Sequence, residues 1–492
     1  MKKLALAFIA LGALLAVIFF FIDRGLGAAQ LLGIETGAVL ILLGIGFLTL
    51  DSRDRIPPTD LRATGRWLLS LPPTAWVVIS FLALYLALFV SPAFFSKETF
   101  QYFVKYIPDA WVTRIGFDVE QTVAHIQTWL TDGASPYADG IVPYSPLTLL
   151  VFAPLIILGY PAYFKFLALM SIGSFVIAAL LIPLWLQKNQ PVIASERSPA
   201  REAISPTLIL LFFLTGLFSY GFQFELERGQ FNVIAFAACL LAIYLFHFHH
   251  KFRYFAYLLF SFAVQLKLYP AIFILMFVRD WRDWKGNLKR FAGLGLANFA
   301  LLFVAGFDLG MQYITKMVNR QGGFQSSRVE DLSISGFVYH LTTDGFNTLS
   351  ADVTARLAQN TGLISTILLL IFLACLFVIL LDAFRKNHTG VNLSLLTICA
   401  LGALFIPAGS FDYKLPILAA PLALFLTGLR WPVPVSKRIT SIVLTIVLSL
   451  AYWSTLAPFT VKSALFAGNF PALFLILLSV TGLHFLAVRE EN

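Results

Sequence analysis

Residues 254–278 read YFAYLLFSFAVQLKLYPAIFILMFV, an apolar run with one charge at its middle. Basic clusters flank it on both sides: Lys251 and Arg253 before it, then Arg279, Arg282, Lys285, Lys289 and Arg290 after it. Lys and Arg are retained on the cytoplasmic side of membrane segments, so this run should enter and leave the bilayer by the same face. Its midpoint, Lys267-Leu268-Tyr269-Pro270, makes it a broken hairpin with its apex toward the outer face. Irregular backbone at that depth is tolerated only against protein or a wet cavity. An ammonium there is expensive and by default marks a function; its alternative role is to snorkel toward the head groups.

The rest of the chain agrees with a lipid solvent. Of 492 residues, 59% are hydrophobic and only 12% charged, and the mean hydropathy is +0.83, so no water-soluble fold could hide the apolar surface. The net charge of +9 does not indicate nucleic acid, because the basic residues lie in short clusters between apolar runs. Cys239, Cys375 and Cys399 all fall inside apolar runs and read as small core hydrophobes. Lys2 and Lys3 precede an apolar stretch over 4–22, longer than the h-region of a signal peptide, which is expected to be an uncleaved first helix.

Following the basic loops gives one topology. The second helix, 28–50, delivers Arg53, Arg55, Arg62 and Arg66 to the cytoplasm, and a third, 73–94, crosses out to a polar and aromatic loop at 96–143. The apolar run 145–158 is too short to span a hydrocarbon core of about 30 Å and is expected to dip in from outside, with 162–186 as the true crossing and 188–201 cytoplasmic. Segment 207–222 goes out and 231–248 returns; after the hairpin, 291–307 leads to a second long outer loop at 308–361. Further crossings at 363–381, 395–406 and 416–429, an outer turn at 409–414 and a last helical pair complete an all-α polytopic membrane protein of about 14 crossings. Three parts follow: N-terminal helices at 1–94, a core at 95–430 with outer loops 95–144 and 308–361, and C-terminal helices at 431–492.

Several polar groupings stand out. Asp118 in Phe117-Asp118-Val119-Glu120 begins a helix-like stretch that leads to Asp132-Gly133-Ala134-Ser135-Pro136-Tyr137 and Val142-Pro143-Tyr144-Ser145-Pro146. Asp118 is either a general base on an active-site rim or the cap of that helix. Glu225-Leu226-Glu227-Arg228-Gly229-Gln230-Phe231-Asn232 is expected to open a membrane helix, with Gly229 letting a ligand approach; Arg228 would receive a phosphate or merely balance Glu225 and Glu227. Asp412 and Lys414 occupy a tight outer turn, Gly409-Ser410-Phe411-Asp412-Tyr413-Lys414, where they would pair with each other. His247, His249 and His250 sit at a cytoplasmic helix end, where a solvated, lipid-facing role is expected and no metal site.

In their order these motifs resemble the multi-spanning glycosyltransferases of the GT-C fold, most closely glycosyltransferase family 87. The matching elements are Phe117-Asp118, Asp132-Gly133-x-x-Pro136-Tyr137, Tyr144-Ser145-Pro146 with Pro154, Gly229-Gln230-Phe231-Asn232, Lys267-x-Tyr269-Pro270, and Asp412-Tyr413 ahead of Pro421. The chain departs from the family pattern in two helices before the usual first one, and in a late turn without the histidines that many relatives carry. The resemblance implies transfer, with inversion, of a hexose such as mannose from polyprenyl phosphate to a lipid or glycan acceptor at the outer face of a bacterial plasma membrane. It implies Asp118 as the base, Lys267 and Arg228 beside the donor phosphate, and a cavity lined by Glu120, Tyr137, Tyr144, Gln230, Asn232, Tyr269, Asp412 and Tyr413. No cofactor and no nucleic acid are required. The rival classes are a transporter or lipid flippase, which paired discontinuous helices would favour, and a surface-polysaccharide polymerase or ligase.

Overall fold

The computed structural model describes residues 2–21, 37, 40–41, 44–45, 69–71, 73–85, 116–138, 142–160, 162–189, 199–323, 331–343, 350–429, 434–456 and 468–487. The second expected helix, its arginines and the first half of the first outer loop lie outside these residues.

Among the described residues the chain is helical almost throughout. Helices α1 (Lys2–Phe21) and α2 (Pro73–Tyr85) precede the amphipathic α3 (Phe117–Asp132). The short α4 (Pro146–Phe152) and α5 (Leu155–Leu158) follow, then α6 (Ala162–Val176), which continues through a π-helical turn at Ile177–Leu181 into α7 (Ile182–Asn189). Helix α8 (Pro199–Leu217) is followed at a 49° bend by α9 (Tyr220–Arg228). Next come α10 (Asn232–Phe248), α11 (Arg253–Leu266), a 3-10 segment at Tyr269–Met276, and α12 (Trp284–Leu301).

The segment 308–361, expected as the second outer loop, carries helices α13 (Phe307–Gly323), α14 (Ile334–Thr342) and α15 (Ala351–Gln359) among its described residues. The chain finishes with α16 (Thr361–Lys386), α17 (Leu393–Phe405), a 3-10 segment at Asp412–Leu418, α18 (Ala419–Gly428), α19 (Val435–Ser454) and α20 (Phe470–Ala487).

Among the described residues three stretches, Ala162–Lys188, Thr361–Lys386 and Val435–Ser454, are long and apolar enough to cross a membrane, and the bent pair α8–α9 makes up to four. Other apolar helices are shorter, among them Pro146–Leu158, the segment expected to dip rather than span. The centre of the bundle is α17, buried along Ser394–Phe405, with the 3-10 segment at Tyr269–Met276, α18, α20 and α16 around it. A helix that is apolar on every side belongs in such a core. Cys239 and Cys399 are buried there as small hydrophobes. Helix α16 instead keeps Leu363, Leu370, Leu373 and Phe377 exposed, the outward face that lipid covers. Helix α2 packs on α19, where the Phe81 ring lies 4.8 Å from Trp453.

The broken hairpin forms where the sequence places it. Helix α11 stops at Leu266, Lys267 is extended (φ −146°, ψ 136°), and the return arm from Tyr269 is 3-10 with Pro270 in its first turn. A helix end orphans its last carbonyls. Gln265 O is taken by Ser145 Oγ at 2.8 Å and Thr148 Oγ1 at 2.6 Å. Ser145 also caps α4, which starts on Pro146. The Tyr-Ser-Pro motif therefore closes the break that the Lys-x-Tyr-Pro motif opens.

Candidate active site

Two left-handed glycines set the geometry. Gly116 (φ +80°) precedes α3, and a Cβ there would lie 2.5 Å from the Phe164 ring; Gly229 (φ +67°) ends α9, and a Cβ there would lie 2.6 Å from Val119 Cγ1 and 3.3 Å from Gly116 Cα. Only glycine takes that conformation without strain and leaves room for so close an approach. The Gly116 N–H donates to Glu227 O at 2.6 Å, which pins the start of α3 to the end of α9.

Asp118 thereby meets Arg228. Arg228 Nη2 lies 2.9 Å from Asp118 Oδ1, and Nε donates to Oδ2 at 3.2 Å, a two-point contact. Gln230 Nε2 also donates to Oδ2. On its other side the same amide accepts, through Oε1, from Lys267 Nζ at 2.6 Å and from Tyr144 OH at 3.5 Å. The ammonium sits 4.5 Å from the Tyr144 ring centre and 4.3 Å from that of Phe231, a cation–π arrangement that holds it in place. Asp118, Gln230 and Lys267 thus form one hydrogen-bonded row from three distant segments. Asp118 and Lys267 are half-buried, so the row is not sealed.

Asp118 does not cap α3. Gly116 is the N-cap residue, with no side-chain cap, and the carboxylate turns to Arg228 and Gln230. Helix-start acids ordinarily serve backbone N–H groups, but the glycine pair already satisfies one through Glu227 O. The charge of Lys267 is directed inward to Gln230 and two aromatic rings rather than to head groups. Two further expectations need correction. Glu225–Arg228 is the last turn of α9 and not the opening of a membrane helix, because Gly229 terminates it and only Asn232 begins α10. The side of Gly229 that a Cβ would occupy is filled by Val119 and Gly116, so it does not open there to a ligand.

Tyr137 and Tyr144 line the same layer: Tyr137 OH donates to Tyr144 O at 2.8 Å. Burial, and then the neighbouring Tyr313, push the Tyr137 phenol above its ordinary value, so it remains a donor. Glu120 follows Asp118 by two positions and faces about 160° away around α3. Asn232 is fully buried, and its side-chain atoms make no hydrogen bond among the described residues; Tyr269 OH donates to its carbonyl at 2.7 Å. Asp412 accepts from Asn469 Nδ2 at 2.9 Å, while Lys414 donates to Ser410 Oγ at 3.2 Å. The Tyr413 ring lies 5.7 Å from Phe224 of α9. This late turn backs α9 from behind.

Some residues were not singled out in the sequence. Asp331, buried in the second outer loop, accepts N–H bonds through one oxygen from Ser333 at 2.9 Å and Ser410 at 3.0 Å, fastening that loop to the late turn. Tyr313 and Lys316 of α13 approach the Tyr137 ring at 5.8 and 5.7 Å. Their spacing of three along an amphipathic helix was the available signal. His247 is not lipid-facing: its Nε2 donates to Met276 O at 2.8 Å. No group of three or more potential metal ligands occurs among the described residues.

The family model described as glycosyltransferase family 87 matches residues 143–407, which include Tyr144, Arg228, Gln230 and Lys267 and begin after Asp118. No curated protein matches the chain, and no solved structure does.

Proposed function

We propose that this chain, which belongs to glycosyltransferase family 87 and is a membrane glycosyltransferase, takes its sugar from a polyprenyl-phosphate carrier and acts at the extracytoplasmic face. The observation that carries the reading is the row Asp118–Gln230–Lys267: a carboxylate and an ammonium held apart by one amide that bonds to both. A glycosyl phosphate needs both kinds of group. The acceptor hydroxyl gives its proton to Asp118, the acceptor oxygen forms the new bond to the anomeric carbon, and the bond to phosphate breaks with its electron pair leaving on the carrier. Attack from the face opposite the phosphate inverts the sugar. Asp118 retains the capacity for this step. A carboxylate offers about four acceptor directions, and Arg228 and Gln230 occupy three of them.

Lys267 stabilises the departing phosphate, an effect that fixed charges deliver best in a site of low dielectric. Arg228, expected beside the phosphate, orients the base instead. The outward assignment rests on the basic clusters at 249–253 and 279–290, which lie at the other ends of the helices that carry the row. Single cysteines placed at 188–201 should stay unlabelled from outside intact cells, and labelling there would overturn this sidedness.

The chemistry is tested with Asp118→Asn in purified protein. A base role predicts normal donor binding with transfer slowed at least about 100-fold. Retained turnover would move the base to Glu120, Asp132 or the second outer loop.

A further inference from the structure

At the far end of α10 from Asn232, about 21 Å along the helix axis, three guanidinium groups surround one buried ring. The Phe246 centroid lies 5.2 Å from Arg279, 5.3 Å from Arg290 and 5.8 Å from Arg253. Any two of the charges are therefore separated by at most roughly 11 Å, close to the Debye length of about 10 Å at 0.1 M salt.

Among the described residues none of the three pairs with a carboxylate. Arg279 donates to Phe246 O, through Nε at 3.1 Å. Arg290 donates to Phe277 O and Asn287 Oδ1 at 2.8 Å and to Tyr257 OH at 3.2 Å. Arg253 donates to the His250 ring at 2.9 Å, and its Nε is a buried donor with no hydrogen-bond partner among the described residues. The nearby acids are occupied elsewhere, Asp280 accepting from the Arg282 N–H and Asp283 from the Gly286 N–H. Burial, and then the charge of Arg253, lower the Arg279 guanidinium below its ordinary value.

Retention of basic residues on the cytoplasmic side accounts for solvated side chains such as Arg282 and Lys289, both exposed. It does not account for three half-buried guanidiniums brought together without a counter-ion. Close to them along α11 and α12, Tyr254, Leu258 and Leu288 are 81%, 68% and 59% exposed, apolar groups suited to an acyl chain. Trp284, also exposed, is a residue type that settles at head-group level.

We propose that Arg253, Arg279 and Arg290 bind the phosphate of an anionic phospholipid, with its acyl chain along Tyr254, Leu258 and Leu288. This is a second anion site, at the opposite end of α10 from the Asp118 row. Arg253 is the member to substitute, since it holds no backbone carbonyl.

The test is thermal unfolding of the purified full chain in detergent, titrated with phosphatidylglycerol, with phosphatidylcholine, and with inorganic phosphate alone. Phosphatidylglycerol should raise Tm where phosphatidylcholine does not. Arg253→Gln should shift the midpoint of that titration about fivefold to higher lipid, and Arg253→Lys should restore most of it. In the wild-type protein the response should shrink as salt rises, a readout independent of whether Arg253→Gln folds. Equal stabilisation by the zwitterionic lipid, an unchanged midpoint in a folded Arg253→Gln, or salt independence would overturn the site. An equal response to inorganic phosphate would overturn the phospholipid as its occupant.

Discussion

The Asp118 row and a second polar cluster, at the junction of α16, α17 and α20, are built from similar parts to different ends. In the second, His484 Nε2 lies 3.0 Å from Asp382 Oδ2, its Nδ1 lies 2.8 Å from Ser394 Oγ, and Lys386 lies 3.2 Å from Asp382. A serine, a histidine and an aspartate in that order suggest a hydrolytic triad by connectivity. Geometry and access decide otherwise. Each of these residues sits on a regular helix, and Ser394 and His484 are 2% and 7% exposed, so the cluster clasps three helices and admits nothing. In the Asp118 row every member stands at a chain irregularity: Asp118 after Gly116, Gln230 after Gly229, Lys267 in the gap between α11 and its 3-10 return. Regular helices give a hydrogen-bonded clasp. Broken ones leave Asp118 and Lys267 half-buried and their polar groups turned toward one another across the break.

The largest expected difference comes from Lys267→Met, which keeps length and removes charge. It should abolish use of the donor with little loss of folded protein, and Lys267→Arg should rescue part of it. Wild-type sugar transfer by the Met variant would place Lys267 with the structural cluster. Gly229→Ala comes next. Its φ of +67° and the 2.6 Å approach to Val119 make the variant strained by about 1–3 kcal/mol, and the start of α3 must shift. Transfer should fall with donor binding only modestly weakened, because Asp118 moves and Lys267 does not; unaltered kinetics would detach the glycine pair from the base.

Asp382→Asn probes the other cluster. Loss of the charge beside His484 should lower stability by about 1–3 kcal/mol, seen as a lower Tm, with unchanged transfer per folded molecule. A specific loss of transfer would erase the distinction between clasp and site.

The sequence revealed those parts of this contrast that depend on local cost. A lysine inside an apolar run, with proline three residues on, announces a broken hairpin, because both are expensive in an unbroken membrane helix. Ser145-Pro146 likewise reads as a helix start. The contact of Asp118 with Arg228 was hidden, since 110 positions separate them and an acid at a helix start has an ordinary capping use. The helix boundary at Gly229 was misplaced for a related reason: one glycine amid five polar residues suits either end of a helix. The clasps of Asp331 and His484 were invisible because no periodicity records which loop or helix returns to which. The inward turn of His247 depended on a carbonyl, Met276 O, freed by the 3-10 segment, and a regular helix would have consumed that acceptor.

The smallest effect is expected at Tyr137, one layer behind the row. Its hydroxyl donates to Tyr144 O at 2.8 Å, and the Tyr144 ring is one of the two that hold the Lys267 ammonium. Tyr137→Phe keeps the packing against Tyr313 and removes only that donor. The cost should be about 1 kcal/mol for an orphaned carbonyl, with a slight loosening of Tyr144. Because Tyr137 is linked to Lys267 through Tyr144, the kinetic signature should be a rise in KM for the donor of about threefold, with kcat unchanged. The phenol is held above its ordinary value and stays protonated throughout the neutral range, so the pH profile of transfer should be the same in variant and wild type. Steady-state transfer by purified protein across donor concentrations, at two pH values, checks both statements. A fall in kcat comparable to that of Asp118→Asn, or a displaced pH profile, would bring Tyr137 into the reacting layer and extend the row beyond its three members.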